Sequence, residues 1–402
     1  MASVKVILRT SKLNGKGECP LYLRVIKNRK TTFVSIGLYI KESDWDAVGC
    51  KVKKSHRNSG RLNAFIAQKV ADAEAVIVDE QAKVKTVSAR KLKDKIVGIE
   101  PVDFFEYSKR YTDALLNGNQ ISTYKRANAV IQKLRDYNEN KPLYLNEIDH
   151  TYLEDFEQYC KTELENRQNT IHGNLRIIRK IINDAIRDEK MSRDDNPFLK
   201  LTLKTESSKR NYLLESEVQA IEALDLSGTP GYQHTRDMFV FACYAGGVRI
   251  SDLLTLKWRD IVDGRLVIRM KKTGGTQMVK LPQKALDVLS RYNEGNPSPD
   301  DYIFPYITNK EEIDTPMKLH NFIGKKTALC NKNLKEIASR AEITKKVTFH
   351  VSRHSFATIA LRKGIRIEYV SKLLGHADLK ETQVYAKIIN SELDRAMDVF
   401  ND

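Results

Sequence analysis

The sequence predicts a multidomain α+β protein. It reads as a small N-terminal β-sheet domain with a helix, an all-α middle domain, and a mainly α C-terminal domain with a small β-sheet. Three observations predict this. β-branched and aromatic runs crowd residues 4–40, helical patterns fill 101–200, and beyond Tyr212 helices surround one glycine-centred pair of strands. At 402 residues the chain can bury several cores, and two or three domains are expected.

The first strands are VKVILR, LYLRVI and TTFVSIGLYI. GKGECP (15–20) supplies a turn, and KNRK (27–30) reads as a basic hairpin tip. Lys27, Arg29 and Lys30 there are candidate nucleic-acid contacts, set against the plainer reading of lysines that protect sheet edges. Leu62, Ile66, Val70, Ala73 and Ile77 recur at helical steps, so a helix is expected over about 62–96, with Ser88 able to cap a second piece. Four helices are expected at about 102–117, 122–139, 149–165 and 169–191, parted by NGNQ and NENKP and closed by Asn196-Pro197. TLKTESSKRN (202–211) is polar and reads as a linker or an ordinary surface loop. LLESEVQAIEAL and HTRDMFVFACYAG are helical, and GRLVIRM and GTQMVKLP are strands around KKTGG. Further helices are expected at about 283–292, 317–342, 352–363, 366–374, 379–389 and 391–400. The domains are thus read as 1–97, 98–201, a linker at 202–211, and 212–402.

Charge is unevenly spread. The net charge is +16, and residues 1–98 carry 21 Lys and Arg against 9 Asp and Glu. Such a field suits a polyanion, although a soluble basic face would carry the same charge. Five scattered cysteines without a CxxC pair fit reduced, packed thiols. No stretch has signal-peptide or bilayer-spanning character, so a cytoplasmic protein without a membrane partner is expected.

His350 and His354 in TFHVSRHSFAT share one helix face, a spacing that can grip a metal. Val351 stands where a zincin helix needs glutamate, and Arg353 would repel a cation. Arginine flanked by histidines suits a phosphate instead, through paired guanidinium hydrogen bonds. AGGVRISDLLTLKW places Arg249 after two glycines, where the backbone can approach closely. KKTGG brings Lys271 and Lys272 to a hairpin tip, and LLGHADLKETQVYAK holds His376 nine residues before Tyr385. Each piece alone is weak.

In order they read R…K…HxxRH…LGH-x8-Y, which resembles the tyrosine recombinase (phage integrase) family over about 210–390. The upstream layout resembles that of integrases of conjugative transposons and related mobile elements. The resemblance implies an arm-type DNA-binding domain over 1–97, a helical core-binding (SAM-like) domain over 98–201, and a catalytic domain ending in a tail helix. It implies that Tyr385 attacks a DNA phosphate to form a 3′-phosphotyrosine. Arg249 and Arg353 would stabilise the transition state, His376 would bond the same phosphate, and His350 would assist proton transfer. Lys272 would protonate the leaving 5′-oxygen, with Lys271, also read as a DNA contact, as the neighbouring alternative, since adjacent hairpin residues point to opposite faces. His354 would be structural, bracing the helix or a nearby backbone group. Ser352, Asp252 and Val248 are mild departures from the family pattern, and none removes a catalytic group.

The implied function is site-specific DNA integration or excision of a mobile element, without cofactor or metal. DNA inversion, type IB topoisomerase activity and a non-enzymatic DNA-binding regulator are the alternatives. Implied partners are double-stranded DNA with arm-type and core-type sites, three further copies in a synaptic homotetramer, and a DNA-bending accessory protein. The setting implied is the bacterial cytoplasm, at the nucleoid. Leu393, Met397 and Phe400 share one face of the tail, which would dock on a neighbouring protomer or pack on its own domain.

Overall fold

Ser3–Leu8 (β1), Cys19–Lys27 (β2) and Lys30–Ile40 (β3) pair as an antiparallel sheet in the order β1-β2-β3. Alternation sorts their side chains. Val6, Leu21, Leu23, Val34 and Ile36 form one buried cluster with Ile66 and Ala73 of the helix Ser59–Lys83 (α1). Tyr22 and Phe33 meet edge to face, with the Arg9 guanidinium over both rings. A short hairpin that the sequence did not suggest, Trp45–Asp46 (β4) with Lys51–Val52 (β5), leads into α1.

The computed structural model describes residues 2–27, 30–83, 93, 96, 101–206 and 210–386. Lys27 and Lys30 are the paired ends of β2 and β3. Arg29, the Lys30 side chain, Ser88 and the tail segment 391–400 lie outside the described residues. The chain divides into two compact units, Met1–Glu206 and Ser207–Asp402.

In the first unit, the helical segment follows its apolar periodicity. Its helices are Phe104–Asn117 (α2), Ile121–Tyr137 (α3), His150–Thr162 (α4) and Gln168–Arg187 (α5). Asp103 caps α2 by accepting from the Glu106 amide, and its other oxygen accepts from the Leu143 amide, so one carboxylate fixes two segments. Ile171, Leu175, Ile178, Ile182 and Ala185 line one stripe of α5 and pack with Phe104, Leu134, Leu153 and Phe156 in a core separate from that of the sheet.

The second unit is mainly helical. Glu215–Ala223 (α6) precedes Pro230–Tyr244 (α7), whose residues 235–243 are all buried. The α7 run 238–243 is apolar on every face, which suits a central helix. Ile250–Leu253 (α8) follows, then the sheet Ile261–Val262 (β6), Arg265–Arg269 (β7) and Thr276–Lys280 (β8), and then Gln283–Ser290 (α9). Pro316–Arg340 (α10) and Phe349–Arg362 (α11) both pack on α7, and the Phe239 and Phe349 rings meet edge to face. Ile367–Leu374 (α12) and Lys380–Ala386 (α13) pack on α11 and on each other. Among the described residues no helix is long and apolar enough to cross a membrane.

Candidate active site

Helix α11 is the spine of the site. His350, Arg353 and His354 fall on its pocket side because positions three and four apart share a helix face. Arg353 is buried, and its guanidinium donates to the Gly247 carbonyl (3.0 Å) and to the Leu374 carbonyl (2.7 Å). Those carbonyls belong to the loop that leads to Arg249 and to the last residue of α12, two positions before His376. One side chain thus ties three separate motifs together.

Two glycines make the first loop possible. Gly246 and Gly247 have φ of +77° and +65°, where a side chain is strained. A Cβ at Gly247 would lie 3.2 Å from the Arg353 Cα. The backbone therefore comes against α11, as the glycine pair suggested. Gln277 of β8 donates to the Gly246 and Leu373 carbonyls and holds the glycine loop and the end of α12 from the sheet side.

The result is a pocket of about 740 Å³. Arg249, Lys272, His350, Arg353, His376 and Tyr385 all line it, with His354, Arg210, Asn211, Lys346 and Glu381. Cations dominate the lining, and Glu381 is its carboxylate. Lys272 faces this pocket. Lys271 instead lines another, and its amide donates to Asp252 (3.0 Å). The two lysines thus do point apart. Asp252 is buried with one oxygen lacking a partner, and burial raises its pKa.

Tyr385 is 2% exposed. Its hydroxyl meets the His354 Nδ1 at 2.8 Å, so His354 is the imidazole at the phenol. This corrects the expectation that His354 only braces the helix or a backbone group. His350 stacks edge to face on His354, with centroids 4.4 Å apart, and is itself open to the pocket. The pKa of His354 falls to about 3, from burial first and then from His350 and the nearby arginines. That of His376 falls to about 4 for the same leading reason, with Arg353 and Arg249 next. His350 is also held below a free imidazole, by the protein packed around it and by Arg353 and Lys272. All three rings are neutral hydrogen-bonding groups at neutral pH. The His376 Nδ1 is 2.7 Å from the Thr382 hydroxyl, which fixes its ring. Its Nε2 lies 3.7 Å from Glu381, and with a neutral ring this is a loose contact rather than an ion pair.

Burial lowers Arg353 to about 10, with Arg249 beside it adding to the effect. A buried guanidinium bonded to neutral carbonyls is suited to receiving an anion. Arg249 donates to the Met270 sulfur (3.0 Å), a weak acceptor that a phosphate oxygen would displace. Among the described residues, no group of three or more His, Cys, Asp or Glu is placed to hold a metal ion.

Residues 211–392 match the phage integrase family, residues 103–203 the phage integrase SAM-like domain, and residues 6–93 an arm DNA-binding domain. The chain carries phage integrase family domains. Tyrosine recombinase XerA of Pyrococcus furiosus is 33% identical over 166 residues, which is 41% of this chain and 54% of that protein. The chain therefore spans about half the length of that relative. Tyrosine recombinase XerD of Staphylococcus epidermidis is 26% identical over 71% of this chain and 93% of its own. In fold, the chain is similar to a lambda integrase tetramer bound to a Holliday junction, with a TM-score of 0.55, 16% identity and 93% of each chain covered. It is also similar to the Tn1549 transposon integrase in complex with transposon right end DNA, with a TM-score of 0.53, 14% identity, and 73% and 99% covered.

Arg210, Asn211, Lys346 and Glu381 were not singled out from sequence. The first two lie in the stretch read as a linker, where nothing local marks them.

Proposed function

We propose that this protein is a site-specific DNA recombinase that integrates or excises a mobile element. The observation that carries this reading is the shared pocket of Tyr385, Arg249, Arg353, Lys272, His350 and His376. Arg249 and Arg353 bind the nonbridging oxygens of a DNA phosphate and stabilise its pentacoordinate transition state. His376 donates to the same phosphate. The Tyr385 oxygen bonds to phosphorus as the phenol proton passes to the imidazole pair His354 and His350. The bond from phosphorus to the 5′-oxygen breaks, and Lys272 gives that oxygen a proton. A 3′-phosphotyrosine remains, and a 5′-hydroxyl from another strand reverses the step.

The substrate is double-stranded DNA, and exchange takes place in a homotetramer. The tetramer reading is supported by the lambda integrase neighbour bound to a Holliday junction, and the mobile-element reading by the transposon integrase neighbour. The N-terminal sheet domain binds arm-type sites and the helical domain core-type sites, with domains at 1–97, 98–201 and 212–402. Lys27, Arg29 and Lys30 contact arm DNA.

A DNA duplex nicked beside the cleavage position tests the chemistry, because loss of the short fragment traps the covalent adduct. The wild type should form adduct and Tyr385→Phe should form none. Adduct at the wild-type level in Tyr385→Phe would remove Tyr385 as nucleophile. Adduct yield should be unchanged in EDTA, since the cationic lining repels a divalent ion.

A further inference from the structure

We propose that Arg210 is a further positioning residue of this site, a third guanidinium that steadies the Tyr385 ring and favours its oxyanion as attack begins. The proposal rests on the DNA-cleavage reading above. Arg210 is the first described residue of the second unit, and its polar surroundings would suit a solvated arginine. Its placement argues otherwise. The guanidinium carbon lies 5.5 Å from the Tyr385 ring centroid, and the side chain lines the pocket with Arg249 and Arg353. A cation over a phenol ring is attracted by its π-face, and this holds the ring in plane.

The segment carrying Arg210 is anchored. Three residues on, the Leu213 amide donates to the Ser355 hydroxyl at 2.8 Å, and Leu213 itself is fully buried. Ser355 follows His354 on α11, so one helix fixes both the hydroxyl partner of Tyr385 and the mount of Arg210. The Asn211 side chain donates to the Lys346 carbonyl at 3.3 Å. The Tyr212 ring lies under Lys345 and Arg362, at 5.5 and 5.8 Å. An arginine held one to three residues from these contacts has little freedom to leave the pocket.

Its charge acts in the expected direction. Burial pushes the Tyr385 phenol above its ordinary value, and Arg210 is the foremost influence pulling it back, ahead of Arg353. The same charge helps keep His350, His354 and His376 neutral. Arg353 is occupied with backbone carbonyls and Arg249 with the Met270 sulfur, so Arg210 is the guanidinium on the phenol itself.

The test is the pH profile of adduct formation on the nicked duplex, for wild type, Arg210→Gln and Arg210→Lys. Thermal melting and affinity for intact DNA are measured beside it. Removing the charge should move the rising alkaline limb to higher pH and slow the reaction ~10-fold near neutrality, equivalent to about one pKa unit. Arg210→Lys keeps the charge and weakens the stacking, so it should recover part of the rate and most of the limb's position. A glutamine profile that superimposes on the wild type overturns the proposal, even if DNA affinity falls. A uniform loss with no shift in either variant overturns it too. Tyr385→Phe is run in parallel: adduct there sinks the underlying reading, whereas Tyr385-dependent adduct with unshifted Arg210 variants sinks this inference alone.

Discussion

His350 and His354 belong to one motif, yet their rings meet different neighbours. His350 opens to the pocket, while His354 is buried against the Tyr385 hydroxyl. Their depressed pKa values carry a stability consequence. In the folded, DNA-free protein, His354 and His376 resist protonation down to about 3 and 4, whereas in the unfolded chain they take up protons near 6.5. Their contribution is complete above about pH 6.5 and is lost as pH falls towards 4, because there the unfolded state binds more protons. Melting followed by calorimetry should show stability falling by more than ~1 kcal/mol across this window. The double variant His354→Gln/His376→Gln should flatten it, and an unchanged slope would refute the burial argument. The order of motifs was enough to collect Arg249, Lys272, His350, Arg353, His376 and Tyr385 from sequence, because each sits in a distinctive local string. Arg210 was hidden, since its place depends on a hydrogen bond between residues 142 apart.

Loops between elements set the geometry that those side chains need. Gly247 and Gly375 both adopt positive φ, but their surroundings differ. A Cβ at Gly247 would press on the Arg353 Cα at 3.2 Å and the Leu374 side chain at 3.0 Å. Backbone cannot yield cheaply, so Gly247→Ala should cost ~2–3 kcal/mol and abolish adduct formation. At Gly375 the obstacle is the Met270 thioether, the far end of a flexible side chain. Gly375→Ala should cost only ~1 kcal/mol. It should still slow cleavage, because Met270 is the group that Arg249 leans on. Denaturant unfolding of the two variants checks the order, and equal costs would mean that α11 moves as easily as methionine. The long helices were readable in advance, because their apolar stripes run for several turns. Examples are residues 171–185 of α5 and the apolar run 238–243 of α7. The β4–β5 hairpin was not, since two-residue strands carry too little alternation to register.

At the scale of the whole chain, charge and cores divide along the same line. Residues 1–98 carry 21 Lys and Arg against 9 Asp and Glu, while residues 99–210 carry 19 of each. The basic part folds around Val6, Leu21, Leu23, Val34 and Ala73, and the neutral part around Phe104, Leu134, Phe156 and Ile182. Because these clusters are separate, removing residues 1–95 takes away one core whole rather than opening the other. Truncated protein should therefore still form the Tyr385 adduct on a nicked core site, within ~3-fold of the full chain. Its DNA affinity should depend less steeply on salt, since fewer phosphates are neutralised and fewer counterions released. Integration that needs arm-type sites should fall at least ~10-fold, in proportion to the lost binding free energy. A plasmid assay that scores adduct, affinity and integration on the same preparations checks all three. Integration by the truncated protein at the full-length rate would strip the arm-binding role from the N-terminal sheet and leave its charge as a feature of solubility.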